Sequence, residues 1–383
     1  MKETSFSDWK IYLRWQLIHA AAPAVSSNFG DENFDFYGRA LTGLNERSVR
    51  WKRCVRATDE QLGEALGQEY VKRAFPPEAK AQALDMIHNL IGVMRDELSN
   101  LDWMGPETKK LALAKLDAMV LKIGYPDKWR DYSAYQVGRG PYIEEVWRVN
   151  EYNFRRDLAK IGKPVDRTEW DMTPQSVDAS YNPSMNELVF PAGILQPPFF
   201  DPKRDDAMNY GAIGAVIGHE LTHAFDAGGA QFDGEGNAKT WWTPKELKTF
   251  RTREECVIKQ FDNYQAEPGL HENGKLEIRE IVADLGGLTI AHSAYEETLE
   301  EKPKPADIDG FTSEQRFFLA WAQIWAENVK PEYARRVLDE DSHPLGRFRT
   351  NGPLSNIPAF SQAFGCTAGA PMVREGKQLC RIW

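Results

Sequence analysis

Cysteine is scarce in this chain, with only Cys54, Cys256, Cys366 and Cys380 among 383 residues. No two form the close pairs that a cysteine-type zinc site requires, and the spacing leaves open whether any are bridged. No apolar run reaches the ~18–20 residues that a bilayer-spanning helix needs. Long basic runs are also missing, and the formal net charge is −10. That argues against nucleic acid as a partner, because phosphate binding wants a concentrated Lys/Arg surface. The opening MKETSFSDWKIYLRW is charged and aromatic throughout, without the apolar centre and cleavage site of a signal peptide. The expectation is a chain that stays inside the cell or whose true N-terminus has been removed. There is no internal repeat and no low-complexity segment.

What is present describes a globular protein. Hydrophobic residues make up 42% and charged residues 27%, ordinary values for a folded soluble chain. The length allows two domains, and 12 Trp, 13 Tyr and 19 Phe can furnish a sizeable core. The first ~135 residues read as helical. Over residues 77–98, Ala83, Met86, Ile87, Leu90, Ile91 and Met94 recur at helical spacing. A second helix is expected from Pro106-Glu107 to just before Gly124-Tyr125-Pro126. Another amphipathic helix is expected over residues 142–165. Then Asp178-Ala179-Ser180-Tyr181 and residues 186–191 suggest a short hairpin or extended segment. Gln196-Pro197-Pro198-Phe199-Phe200 must be irregular, since adjacent prolines exclude a helix interior. Helix returns over residues 210–224 and 313–328, with a loop marked by Pro303, Pro305 and Gly310 between.

The chemistry concentrates in His219-Glu220-Leu221-Thr222-His223. Residues four apart share a helix face, so both imidazoles can meet one ion, and the glutamate beside the first lies on the flank. The preceding run Ile213-Gly214-Ala215-Val216-Ile217-Gly218 is apolar and implies a buried helix, where two histidines and a glutamate demand a partner. A catalytic zinc takes three protein ligands and keeps one position open. Glu280, in Glu280-Ile281-Val282-Ala283-Asp284, is the best third ligand. Asp284 lies on the same face and can accept a hydrogen bond from the far nitrogen of a ligating histidine. By itself this spacing is common on solvated helix faces; it gains meaning by following the histidine pair.

These motifs resemble the neprilysin and endothelin-converting-enzyme family of zinc metallopeptidases. The resemblance runs over nearly the whole chain. It includes the run from Leu188 to Phe200, Val216 to Asp226, the Glu280–Asp284 motif, the ending Cys380-Arg381-Ile382-Trp383, and Leu101-Asp102-Trp103-Met104 with Glu107-Thr108-Lys109-Lys110. It implies a mainly α fold with a small β component. Residues 1–136 would be part of a helical covering domain, and residues 137–383 a thermolysin-like zinc-peptidase domain. It implies one zinc ion on His219, His223 and Glu280, Glu220 as general base and then acid, and His343 and Arg349 acting on the substrate carbonyl. Asp178 and Ala179 would meet the substrate backbone. Ile194, Phe199, Val216, Ile324 and Trp325 would line an apolar pocket, giving cleavage of oligopeptides on the amino side of large hydrophobic residues. It further implies an extracytoplasmic site of action (periplasmic, secreted or surface-anchored) and a Cys256–Cys380 bridge in an exported protein.

The chain departs from the family pattern in places. Asp178 stands where the family has Asn, and an ionised Asp can only accept hydrogen bonds. Asp226-Ala227 replaces an acidic pair, and Ile281 replaces Asn. The length is about half that usual in the family, so an N-terminal half is expected to be missing and Cys54 and Cys366 to lack their partners, unless they meet each other. A less enclosed site would admit larger polypeptides. The alternative is a silent or split fragment that needs a separate N-terminal piece.

Overall fold

A computed structural model describes residues 4–300 and 305–383. In chain order the first elements are α1 (Phe6–Ala21), α2 (Ser27–Phe34), α3 (Arg50–Ala74), α4 (Pro77–Asn100), α5 (Pro106–Asp117), β1 (Val120–Gly124), α6 (Tyr142–Leu158), β2 (Ser180–Asn182), β3 (Glu187–Pro191) and α7 (Asp206–Asn209). There follow α8 (Ala215–His223), α9 (Pro244–Phe261), β4 (Gln265–Glu267), β5 (Leu270–His271), α10 (Ile278–Glu300), α11 (Ser313–Ile324), α12 (Pro331–Glu340), α13 (Gly346–Leu354) and α14 (Pro358–Ala363). The protein is mainly helical with a small sheet, as the sequence implies.

Two compact units interleave along the chain. The first comprises Met1–Leu66, Lys128–Thr168 and Lys330–Arg336. Its helices are joined by polar contacts such as Gln61 to Tyr142 (2.9 Å) and the backbone N–H of Arg130 to Glu64 (2.7 Å). Helix α1 buries no residue, and Phe6, Ile11, Leu13, Trp15, Leu17 and Ile18 are all more than half exposed.

The second unit comprises Gly67–Asp127, Glu169–Val329 and Val337–Trp383, and it holds the principal core. Helix α4 buries Ala83, Met86, Ile87, Leu90 and Met94, the stripe that the 3.6-residue period predicts. A three-stranded sheet has the order β1-β3-β2, with β1 parallel and β2 antiparallel to β3, and β4 and β5 form a separate antiparallel pair. Strand β1 is a correction to the sequence reading, which carried helix to just before Gly124. Helix α5 ends at Asp117, and the β-branched pair Val120 and Ile123 lies in the strand, where such side chains pack well. Lys122 on β1 and Glu187 on β3 form a buried ion pair at 2.7 Å. Helix α6 stops at Leu158, short of 165, before Gly162 takes a left-handed φ of 76°. Residues 210–214 wind more loosely than an α-helix before α8 begins, and α11 stops at Ile324 rather than 328. The expected loop reaches Gly310 with φ 82°; Pro303 lies outside the described residues.

Three local features set up the site. Helices α8 and α10 touch backbone to backbone: a Cβ on Gly218 would lie 2.5 Å from Gly287 O, and one on Gly287 would lie 2.3 Å from His219 N. Glycine at both positions allows an approach that no side chain permits. Helix α9 begins with a reciprocal cap between Thr243 and Glu246, satisfying two orphan donors, and Glu246 also binds Gly105 N and Thr108 on α5. Finally, Lys115 on α5 is fully buried and donates to the carbonyls of Gly229 (2.7 Å) and Phe232 (2.8 Å). Burial pulls its pKa down to about 8, against the pull of Asp226 and Asp233. Its ammonium clamps the turn that follows α8.

Candidate metal centre

Helix α8 is buried almost throughout, Val216 being its partly exposed residue. His219 and His223 project from one face of it, and Glu220 follows His219 on the same buried turn. Helix α10 brings Glu280 and Asp284, one turn apart, against that face because the glycine seam holds the two backbones together. The Nε2 atoms of His219 and His223 lie 3.1 Å apart. Glu280 Oε2 lies 3.3 Å from the first and 3.5 Å from the second. Among the described residues, these three form the one group of at least three His, Cys, Asp or Glu donors close enough to share an ion.

The other nitrogen of each imidazole is engaged. His219 Nδ1 meets Asp284 Oδ1 at 2.8 Å, and His223 Nδ1 meets Asp226 Oδ2 at 3.0 Å. A carboxylate at Nδ1 holds the proton there and turns the Nε2 lone pair inward. Two such lone pairs facing each other beside a carboxylate oxygen require a cation. A tetrahedral zinc with bonds of ~2.0–2.1 Å would space its donors ~3.3 Å apart, and the observed separations bracket that value. The residues fit one zinc ion. The electrostatics agree: burial disfavours charge on His219 and His223, yet hydrogen bonds to Asp284 and Glu280, and to Asp226 and Glu280, outweigh it and raise both pKa values, His223 to about 10. Burial would raise the Glu280 pKa, but its three histidine neighbours hold it far below the usual carboxylate range. The cluster is built to surround positive charge.

His343, half-exposed, reaches the same oxygen, its Nε2 lying 3.2 Å from Glu280 Oε2. Its Nδ1 is held by Asp341 at 2.7 Å. The hydrogen bond to Glu280 lifts its pKa to about 9, against burial. Arg349 on α13 is buried, and its Nε and Nη2 donate to Asp284 Oδ2 and Oδ1 at 2.8 and 2.7 Å. Its guanidinium stacks 3.8 Å above the Trp325 ring. Arg349 therefore orients the carboxylate that orients His219, a task the sequence did not reveal.

Of the remaining candidates, Ile194 is buried, while Phe199 and Ile324 are half-buried. Asp178 is exposed and accepts from the N–H of Ala179, just before β2. Val216 lies one turn before His219 on α8, on the ligand face. Sequence reasoning undervalued Asp226. It binds His223, the N–H groups of Gly228 and Gly229 (2.7 Å each) and Arg279 Nε (3.1 Å). Its spacing of three residues from His223 was the available signal. Arg279, beside Glu280, was missed. Cys256 and Cys380 are bridged, whereas Cys54 and Cys366 are free.

Fold and site together define a zinc metallopeptidase scaffold of the His-Glu-x-x-His type. Family comparison is more specific: two models, both described as peptidase family M13, match residues 178–380 and 1–126. The chain belongs to peptidase family M13. It is 38% identical to an endothelin-converting enzyme homolog of Locusta migratoria, over 99% of this chain and 54% of that protein. It is 37% identical to endothelin-converting enzyme 1 of Homo sapiens, over 97% and 49%. Among solved structures it matches the Mycobacterium tuberculosis zinc metalloprotease Zmp1 bound to an inhibitor, with 46% identity and a TM-score of 0.93 over 99% of this chain and 58% of that one. PepO from Lactobacillus rhamnosis gives 32% identity and 0.90, over 99% and 58%. The chain thus spans about half the length of the curated relatives it matches.

Proposed function

We propose that this chain is a zinc-dependent endopeptidase acting on oligopeptides. The observation that carries the reading is the convergence of His219, His223 and Glu280, with both Nδ1 atoms locked by carboxylates. Zinc held by these three would supply Lewis acidity, polarising a carbonyl and lowering the pKa of water towards ~7. Glu220 would accept the proton of the attacking water and return it to the leaving amine. His343, facing the cluster through Nε2, would donate to the oxygen on which charge develops. Arg349, whose Nε and Nη2 hold Asp284, would turn its remaining Nη1 to a substrate carbonyl. Asp178 and Ala179 would meet substrate backbone, and Ile194, Phe199, Val216, Ile324 and Trp325 would receive a large apolar side chain, directing cleavage to its amino side. The Cys256–Cys380 bridge supports an extracytoplasmic site of action. Among the described residues, no helix is long and apolar enough to cross a membrane.

Metal analysis paired with a peptide-cleavage assay on the wild type and on Glu220→Gln tests the reading. About one zinc per chain, with turnover lost only in the variant, supports it; turnover that survives in the variant overturns it. One observation favours a second reading, in which further polypeptide is needed for activity. The exposed apolar side chains of α1 form the kind of face that folded proteins cover. A chain that binds zinc yet cleaves nothing would select that reading.

A further inference from the structure

Beyond the metal centre, two buried acids face each other. Glu272, next after β5, is 4% exposed, and Glu277, next before α10, is 1% exposed. Glu277 Oε1 accepts the N–H of Asn273 at 3.2 Å, and Glu272 Oε1 accepts the N–H of Leu345 at 3.4 Å. The Oε2 atom of each is buried and meets no donor among the described residues. The two carboxyl groups lie within hydrogen-bond reach of each other. Both ionised, they would repel at a site shielded from bulk solvent. A single proton shared between them would put a donor where two acceptors otherwise meet.

This contact joins the start of α10 to the start of α13. Leu345 precedes the first residue of α13, and the next N–H, of Gly346, goes to Glu327 Oε1 at 2.7 Å. Two carboxyl groups thus cap this helix N-terminus, where negative charge is favoured. Three residues into the helix comes Arg349, which holds Asp284; two residues before Leu345 comes His343. Among the charged groups that act on the pair, Arg347 favours the ionised form of Glu272, Glu327 opposes it, and Asp262 opposes ionisation of Glu277.

We propose that Glu272 and Glu277 share one proton and that this shared bond is a pH-sensitive latch positioning the segment 343–349. Burial, followed by the bond and charge of Glu272, pushes the Glu277 pKa up to about 8. The sign follows from linkage. An acid whose pKa is raised on folding favours the fold below its unfolded pKa of ~4.3, loses that contribution as pH climbs, and has lost it above about 8. On release the proton passes to solvent and the two carboxylates push the loop at Leu345 away from α10. The latch rests on the proposed enzymatic reading only for the roles of His343 and Arg349.

Hydrogen exchange tests it without turnover. In the zinc-loaded wild-type chain, amide protection across 345–349, corrected for intrinsic exchange rates, should fall about ten-fold between pH 7 and pH 9, the shift expected for release of one proton with a pKa near 8. In Glu277→Gln and in Glu272→Gln, where a side-chain amide provides a donor at every pH, protection should change less than about two-fold. A wild-type profile that stays flat overturns the proposal, even should neither variant fold. So does a ten-fold loss that persists in both variants. A chain without peptidase activity that shows this profile refutes the enzymatic reading alone; an active chain with a flat profile refutes the latch alone.

Discussion

Replacing Gly287 by alanine adds a single methyl group and should disable metal binding. The new Cβ would lie 2.3 Å from His219 N, whereas ordinary contact begins at 3.4 Å, so α8 and α10 must separate by about 1.1 Å (3.4 − 2.3). A shift of that size carries the bond from His219 Nδ1 to Asp284 from 2.8 Å to about 3.9 Å, beyond hydrogen-bond range. It also takes Glu280 Oε2 from 3.3 Å to roughly 4.4 Å from His219 Nε2, too far for both to reach one ion. Loss of the outer carboxylate alone costs about 10–100-fold in metal affinity, and the steric strain about 1–3 kcal/mol of stability. Zinc affinity, measured by competition with a chelator, and thermal melts with and without zinc would read both effects. Gly92→Ala is the matched control. It lies inside α4 with nothing within 4 Å of an added Cβ, and should stabilise the chain by about 0.5–1 kcal/mol. A Gly287→Ala chain that binds zinc within two-fold of the wild type and melts at the same temperature would refute the claim that the glycine seam builds the site.

Glu220→Gln should keep one zinc while lowering kcat by at least about 10²–10⁴-fold, because general-base catalysis is removed and no ligand is lost; loss of the metal would show that Glu220 is a ligand instead. Chelation should abolish peptide cleavage and lower the melting temperature, with both restored by zinc. At free zinc near 1,000 times Kd the added stability is about 4 kcal/mol, and an unchanged melt would argue against a buried site. Arg349→Met should cost about 3–5 kcal/mol, because it leaves the buried Asp284 carboxylate without its cation. Arg349→Lys should recover only part of that, since a single ammonium cannot reproduce the two-pronged contact; equal denaturant midpoints for Met and wild type would contradict this.

The candidate ligand set was legible because its signal is local. His219 and His223 are four residues apart on one helix, and that spacing fixes their geometry before any tertiary contact forms. Glu280 and Asp284 became legible only through a second motif, because the seam that brings α10 to α8 consists of glycines, which carry no periodic signal. Helix α4 was readable from its apolar stripe, whereas β1 was not. Five residues following a helix, one of them a lysine, offer no clean alternation, and the strand exists because β3 pairs with it and Glu187 neutralises Lys122. Arg349's grip on Asp284 and Arg279's on Asp226 depend on elements 65 and 53 residues apart. No spacing rule reaches that far.

The clamp that Lys115 applies to the turn after α8 has a practical corollary for anyone dissecting this protein. The ammonium sits 114 residues upstream of the carbonyl it holds at Gly229, and the neighbouring strand β1 runs alongside β3. A polypeptide starting at residue 137 would retain all three candidate zinc donors yet lose both supports. Its second histidine would then hang from an unbraced turn. Attempts to shrink this scaffold into a minimal metallopeptidase should therefore keep the stretch from α4 through β1, even though no donor lies within it.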